Sequence, residues 1–562
     1  MRGKEARGDT KDSNKALTVT WSKDAEADVK LKQNEATSSS DSSTRWYDET
    51  KAQLTLSLSI IASNLLMVSM QMTDLGFIGR IGKEELAAAA LGNTVFYLLH
   101  YPMIGAMTAV DTLLATAHGA KLPTPYGEYT QVGMVFVTVL CVPIGIIMLF
   151  VEGILLGIDQ DAHLSYLAGR FCKHLTWSLF PYYWTQVLTK YLQAQHVLSP
   201  PVYVGLVANG ANVFLNWLFI FELGMGFDGA PIATGACRWF QLFALTAYLL
   251  FSRVERNRPT RPKNGGFFLL SALWSGTASS NTGSKLGTGS TQGEDLPTQP
   301  ILLRLKALSP NFLSLAGPGA FMMAVEAWAF EVTTLLAGYL GTVQLDAHLT
   351  MLQLATLAFL SLPFAVAIAS TIRVGNLLGA GDALGAKDAS RITFAICFAF
   401  TSICAVVFSL LRNSLGYVFT DDKEVVEAVS KIAPIAALFQ LADGGQAAAG
   451  GVFRGMGRQT TVAVRNFFGF WVFGMPVGAV LTFVLNVGLS GLWWGLTVGL
   501  TMVVLVSLVQ LVYVNWESEV ENAHVRMAKE EEVAMKRVSM DWSSNSTSRR
   551  LAQKGAGNKD QV

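Results

Sequence analysis

The sequence predicts an all-α polytopic membrane protein, with twelve transmembrane helices in two six-helix lobes related by pseudo-two-fold symmetry. Three observations carry that prediction. Of the 562 residues, 51% are hydrophobic and only 15% charged, with a positive mean hydropathy, a balance too apolar for a soluble domain and spread over too long a chain for one core. Apolar windows of about 20 residues, the length needed to cross a bilayer as helix, recur twelve times. The two halves also repeat at an offset of about 260 positions. Gly79-Arg80-Ile81-Gly82 followed by Leu86 stands opposite Gly338-Tyr339-Leu340-Gly341 followed by Leu345, Pro102 opposite Pro363, and Gly119-Ala120 opposite Gly379-Ala380.

Residues 1–50 are rich in Ser, Asp and Lys and lack the apolar core of a signal peptide. They read as a disordered cytoplasmic tail, with the first span as the targeting element. The N-lobe, 51–252, has expected spans at 53–75, 86–115, 130–151, 164–189, 201–223 and 230–252. Residues 253–308 form a cytoplasmic linker, basic at Arg253, Arg256, Arg258, Arg261 and Lys263 and then rich in Ser, Thr and Gly from Thr277 to Gly293. Its Phe267–Trp274 run is expected to lie on the membrane surface. The C-lobe, 309–515, has spans at 310–340, 345–375, 390–411, 426–450, 462–484 and 490–514. A second cytoplasmic tail, 516–562, opens with a charged, helix-prone stretch from Glu517 to Arg537.

Cations in the short connections set the orientation. Lys121, Lys190, the linker cations, Arg304, Lys306, Arg373, Lys387, Arg391, Arg454, Arg458 and Arg465 fall on one side. That side is therefore expected to be cytoplasmic, together with both termini. Six spans per half insert both halves the same way up, so the symmetry axis runs along the membrane normal with a cleft between the lobes.

Composition also excludes. A net charge of +1 offers no attraction to nucleic acid. The five cysteines show no C-x-x-C spacing, which argues against a disulfide framework or a metal site. No phosphate loop, His-pair motif or nucleophile with a base is present, so no enzyme activity, cofactor or metal is expected. A channel needs a continuous polar pore, which the spans do not offer.

The seventh span, Gly317 to Gly341, carries Glu326 and Glu331. An acid at mid-helix costs roughly 2.5–3.5 kcal/mol on insertion scales and usually faces a polar cavity, an ion path or a proton relay. Five residues are about 140° of helix rotation, so the two glutamates do not share one narrow stripe. In the first span Ser57, Asn64, Gln71 and Asp74 fall on one face. In the fifth, Asn209, Asn212 and Asn216 make a second polar stripe. Packed together, the stripes form a cation or proton site, or interhelical hydrogen bonding; spacing alone leaves both open. Asp111 lies near the cytoplasmic end of the second span, where it holds water or a loop amide. Gln440 and Asp443 lie three apart in the tenth span beside Gly444-Gly445, which admits another backbone. Trp328, Phe330 and Tyr182-Tyr183-Trp184 offer aromatic faces to an organic cation, or simple packing.

The motifs Gly79-Arg80-Ile81-Gly82-x3-Leu86, Ala109-Val110-Asp111-Thr112, Tyr191-Leu192-Gln193-Ala194-Gln195, Glu326-x-Trp328-x-Phe330-Glu331, Arg373-Val374-Gly375-Asn376-x2-Gly379-Ala380-Gly381 and Arg454-Gly455-x-Gly457-Arg458-Gln459 resemble those of the multidrug and toxic compound extrusion (MATE) transporters over about 50–515. The resemblance implies two six-helix bundles around a central cavity and export of organic, often cationic, compounds in exchange for protons or sodium. It makes Glu326, Glu331, Asp443 and Asp74 the cation-coupling candidates: the two glutamates are similar to those of eukaryotic members, Asp443 to an acid of plant members, and Asp74 to the first-span aspartate of bacterial members. Asn64, Gln71, Asn209, Asn212, Asn216, Trp328 and Gln440 are the cavity-lining candidates. The expected protein is a monomeric antiporter of the plasma membrane or of a vacuolar or other internal membrane, with a small organic substrate, a coupling proton and membrane lipid as partners. Sodium coupling, or flipping of a lipid-linked precursor, is the alternative. The proton is favoured because Glu326, Glu331 and Asp443 lack an amide cluster like that around Asp74.

Overall fold

The computed structural model describes residues 39–252, 258–260 and 301–528. The expectations for 1–38, most of the linker including its Phe267–Trp274 run, and 529–562 lie outside these residues.

The N-lobe contains α1 (Ser39–Ile78), α2 (Lys83–Gly119), α3 (Pro123–Leu149), α4 (Ala162–Thr176), α5 (Leu179–Gln193), α6 (Ser199–Trp217) and α7 (Gly229–Phe251). The C-lobe contains α8 (Ile301–Gly338), α9 (Thr342–Ser361), α10 (Pro363–Gly379), α11 (Ala383–Leu410), α12 (Lys423–Gly455), α13 (Gln459–Asn466), which continues through Val484 by way of π-turns, and α14 (Leu489–Val512). Among the described residues ten helical stretches are long and apolar enough to cross a membrane. The other two spans are α7, diluted by Arg238 and Gln241, and the α4–α5 pair. Together they make the twelve transmembrane segments.

Local chemistry sets the ends. Asp161, Asp382 and Asp422 cap α4, α11 and α12 by accepting the N–H of Leu164, Gly385 and Glu424 at 2.9, 2.7 and 2.9 Å, filling donors that a helix start leaves open. Pro363 lacks an N–H and opens α10, so the eighth span breaks there. Its counterpart Pro102 stays inside a continuous α2. The fourth span, expected as one run, also divides, at Trp177-Ser178, where the Ser178 hydroxyl turns back onto the Leu175 carbonyl at 2.7 Å.

The expected boundary of the N-terminal tail needs correction. Residues 39–50 are the first turns of α1, not a disordered segment. They are held by the opposite lobe: Arg45 donates to Asp382 at 3.1 Å, Glu49 forms a two-point ion pair with Arg373, and the buried Gln53 donates to the Ala389 carbonyl at 2.8 Å. Leu56 and Ile60 then pack against Ala365, Ala369 and Ile372 of α10. Helix α8 mirrors this, since Phe312, Leu315 and Ala316 belong to the N-lobe core and the Phe312 ring meets Phe136 at 5.0 Å. The first helix of each half thus begins against the other half.

Along the seam, α2 lies against α8 and α10. Gly105 and Gly319 face each other so closely that a Cβ on either overlaps the other's backbone carbonyl. Toward the end that the loop cations assign to the cytoplasm, Thr112 donates to the Arg454 carbonyl and Gln459 donates to Thr112, both at 2.8 Å. His196 meets Asn376 at 3.1 Å. Burial, with Arg373 and His118 nearby, holds His196 down to about 4, so it acts there as a neutral imidazole. The second tail also begins ordered. Residues 516–528 are helical, with Glu519 paired to Arg458, His524 against the Gly379 carbonyl at 3.0 Å and Arg526 donating to the Met456 carbonyl at 2.8 Å.

Candidate functional site

The C-lobe gathers its acids around Glu326. From α8 this side chain receives Gln446 Nε2 of α12 at 2.8 Å and Asn466 Nδ2 of α13 at 3.1 Å, both on the same oxygen, Oε2. Gln446 and Asn466 are buried, and their own side-chain carbonyl oxygens have no partner among the described residues. Asp443, one turn before Gln446 on α12, is 5% exposed and close enough to Glu326 for the two charges to repel. Among the described residues Asp443 receives no hydrogen bond or ion pair. The glycines beside it admit side chains, not the expected backbone: Gly444 faces the side chain of Thr401 of α11, and Gly445 that of Val504 of α14.

This arrangement corrects one expectation. The second-half acids do have amide company, supplied by Gln446 and Asn466, which the sequence reading did not single out. Glu331 is partly buried, and its charge, like that of Glu326, reaches Tyr101 of α2 across the lobes. Trp328 is exposed, its indole nitrogen 3.5 Å from the Leu98 carbonyl of α2. Gln440 is not a cavity residue: it is fully buried and donates to the Ala355 carbonyl at 3.1 Å.

The N-lobe brings its two polar stripes together. Asp74 Oδ1 accepts Asn212 Nδ2 at 3.1 Å and Asn216 Nδ2 at 2.8 Å, while Oδ2 accepts the Thr234 hydroxyl. Asn209 stands outside this cluster and donates to the Gly205 carbonyl of its own helix at 2.9 Å. Gln71 accepts the Tyr97 hydroxyl at 2.5 Å.

One turn beyond Thr234, Arg238 places its guanidinium over Tyr182 at 4.7 Å and Phe96 at 5.3 Å and donates to Ser178 at 2.9 Å. Its charge also bears on Asp74. Arg238 was absent from the sequence reading, although an arginine within an apolar span is the same signal that flagged Glu326. Buried His100 was missed as well; its two ring nitrogens lie 2.9 Å from the Tyr183 hydroxyl and 3.3 Å from that of Tyr182.

Between the lobes lies a chamber of about 170 Å³, lined by Asn64, Met67, Tyr182, Gln186 and Lys190 of the N-lobe and Phe364 of α10, among others. Of the proposed lining residues only Asn64 reaches it. Lys190, expected in a loop, belongs to α5 and forms an ion pair of 2.5 Å with Asp111, so Asp111 holds neither water nor a loop amide alone. Among the described residues no group of three or more His, Cys, Asp and Glu is placed to hold a metal ion.

Two similar six-helix halves, a chamber between them and buried carboxylates part-way along α8 and α12 are the frame of a multi-pass membrane transporter. The comparisons name the group. The MatE family model matches residues 59–218 and 318–480, and the chain belongs to this family, the MATE transporters. Protein DETOXIFICATION 16 of Arabidopsis thaliana is 30% identical over 482 residues, covering 85% of this chain and 91% of that protein. Multidrug and toxin extrusion protein 2 of Mus musculus is 29% identical over 483 residues, covering 85% and 77%. The crystal structure of the eukaryotic MATE transporter AtDTX14 superposes with a TM-score of 0.74 at 26% identity, covering 87% of this chain and 100% of that one.

Proposed function

We propose that this protein is a secondary active antiporter that exports organic compounds, cations among them, in exchange for protons by alternating access, with Glu326 and Asp443 as the coupling pair. Export of drugs or toxins is supported by the extrusion and detoxification names of its relatives. Proton exchange is supported above all by Asp443, a buried residue whose carboxylate meets no donor among the described residues and whose charge repels that of Glu326. Like charges held close together compete for one proton, which a change of access or a competing cation releases. Glu331 and Trp328, on the same helix and toward α2, stand where an incoming cation is drawn to the pair.

Sodium is the second reading, and one observation favours it. The carbonyl oxygens of Gln446 and Asn466, which have no partner among the described residues, belong to side chains bonded to Glu326 and would add neutral oxygen ligands to two carboxylates. Dye efflux from proteoliposomes, with membrane potential clamped and a pH gradient or a sodium gradient imposed alone, separates the two. Efflux driven by pH alone is expected. Efflux driven by sodium and indifferent to pH overturns the proton reading.

A further inference from the structure

Arg454, in the last turn of α12, is a buried cation that ion exchange at Glu326 and Asp443 leaves without a task. It is 8% exposed and forms no ion pair among the described residues; its Nε lies 3.5 Å from the Thr371 hydroxyl. Asp443, Gln446, Gly450 and Arg454 follow one another at spacings of three, four and four, which is one stripe along α12. Gly450 leaves that stripe open in its middle, and Nη1 of Arg454 lies 3.9 Å from where a side chain on Gly450 would begin. The guanidinium is thus folded back along the helix, toward Gln446 and the Glu326 carboxylate to which Gln446 donates. Its charge acts on two acids, Glu326 in its own lobe and Asp111 across the seam.

The backbone of Arg454 belongs to the seam itself. Its carbonyl accepts the hydroxyl of Thr112, the residue after Asp111 on α2, and Thr112 is held in turn by Gln459. Parting the lobes at this end, which the loop cations assign to the cytoplasm, separates α2 from α12 here and lets water reach the guanidinium. The sealed seam therefore carries the cost of a buried, unpaired cation, offset by the anions around it. Asp111 is already bound to Lys190. Glu326 is the anion whose charge changes when an ion is exchanged.

We propose that Arg454 makes closure of the cytoplasmic seam depend on the charge of Glu326. While Glu326 is ionised and empty, its attraction for the buried guanidinium holds the seam shut. A proton or a cationic substrate cancels that attraction, and solvation of Arg454 then favours opening. The empty carrier is locked and the loaded one moves, so exchange proceeds without slippage; the bound ion shifts the equilibrium because it alters the energy of one state only. That the neutralising ion is a proton rests on the reading above; the dependence of the seam on the Glu326 charge does not.

The test is the distance between spin labels at Ala120→Cys and Ala380→Cys, in the α2–α3 and α10–α11 turns on either side of the seam. The full-length chain is held in lipid nanodiscs without substrate, with Cys404→Ser removing the native cysteine that is not fully buried. Glu326→Gln is expected to raise the long-distance population about tenfold, a usual size for coupled sites. Arg454→Gln is expected to abolish that response, so that it gives the same distribution alone and combined with Glu326→Gln. Arg454→Lys, which keeps the charge, is expected to restore the response. A response to Glu326→Gln that survives in the Arg454→Gln background overturns the lock. So does the absence of any response in the parent chain, a result that needs no Arg454 variant to fold. A seam that answers to Glu326 only through Arg454, in a protein whose efflux is driven by sodium and indifferent to pH, upholds the lock and overturns the proton reading instead.

Discussion

The two lobes share one architecture and treat their buried carboxylates in opposite ways. In the N-lobe Asp74 accepts three side-chain donors across both oxygens and lies within reach of Arg238. Both its oxygens are hydrogen-bonded, and the cluster ties α1, α6 and α7 together. In the C-lobe Glu326 accepts two donors on a single oxygen, and Asp443 adds a second negative charge that meets no donor among the described residues. Similar residue types on related helices therefore give a staple in one lobe and a group with unmet electrostatic demand in the other. A carboxylate that cycles an ion has to be of the second kind, because a saturated one gains nothing by binding a cation.

The comparison breaks most visibly at Glu326. Glu326→Gln keeps the shape and removes the charge, so gradient-driven efflux is expected to fall to background in vesicles holding wild-type amounts of protein. Asp443→Asn is expected to do the same. Wild-type efflux from both would return these residues to structural roles.

At Asp74 the expected loss is of stability first. Asp74→Asn keeps an oxygen for Asn212 and Asn216 and turns an N–H to Thr234, whose hydroxyl then accepts, so charge-assisted hydrogen bonds become neutral ones at a cost of about 1 kcal/mol. The midpoint of thermal unfolding in detergent should drop while gradient-driven efflux survives in the folded fraction. Unchanged thermal stability with lost coupling would reverse the roles of the two lobes.

A smaller effect is expected at the crossing of α1 onto the C-lobe. Glu49→Gln leaves Arg373 without its ion partner, which weakens the hold between the lobes by about 1 kcal/mol. Spin labels at Ala120→Cys and Ala380→Cys, on either side of the seam, should then show a broader distance distribution than in the parent pair. The smallest effect marks the edge of the site. Gln446→Leu or Asn466→Leu should reduce efflux several-fold by releasing Glu326, whereas Gln440→Leu, on the same helix as Gln446 but bonded to the Ala355 carbonyl, should reduce it far less.

What was legible in the sequence was local. The spans, the repeat and the stripe of Asp74 with Asn212 and Asn216 follow from periodicity along single helices, and the structure joins those three residues. What was not legible came from distant helices. Gln446 and Asn466 stand 120 and 140 positions from Glu326, and no spacing along one helix reveals them. The charged start of α1 reads as a solvated tail because Asp382, which anchors Arg45, lies 337 positions away. Gln440 misled for the opposite reason: its distance of three from Asp443 put it near the acid in sequence, while its side chain turns to α9. Arg238 was legible locally, as a lone cation inside the apolar α7.

The most direct test of the difference between the lobes is proton release on substrate binding. Purified transporter in weakly buffered detergent is mixed with a cationic dye substrate, and a pH indicator follows the proton. Wild type and Asp74→Asn should each release a proton as the dye binds, while Glu326→Gln and Asp443→Asn bind dye without release. Release that persists in both C-lobe variants and vanishes in Asp74→Asn would contradict the account and place the coupling carboxylate in the N-lobe.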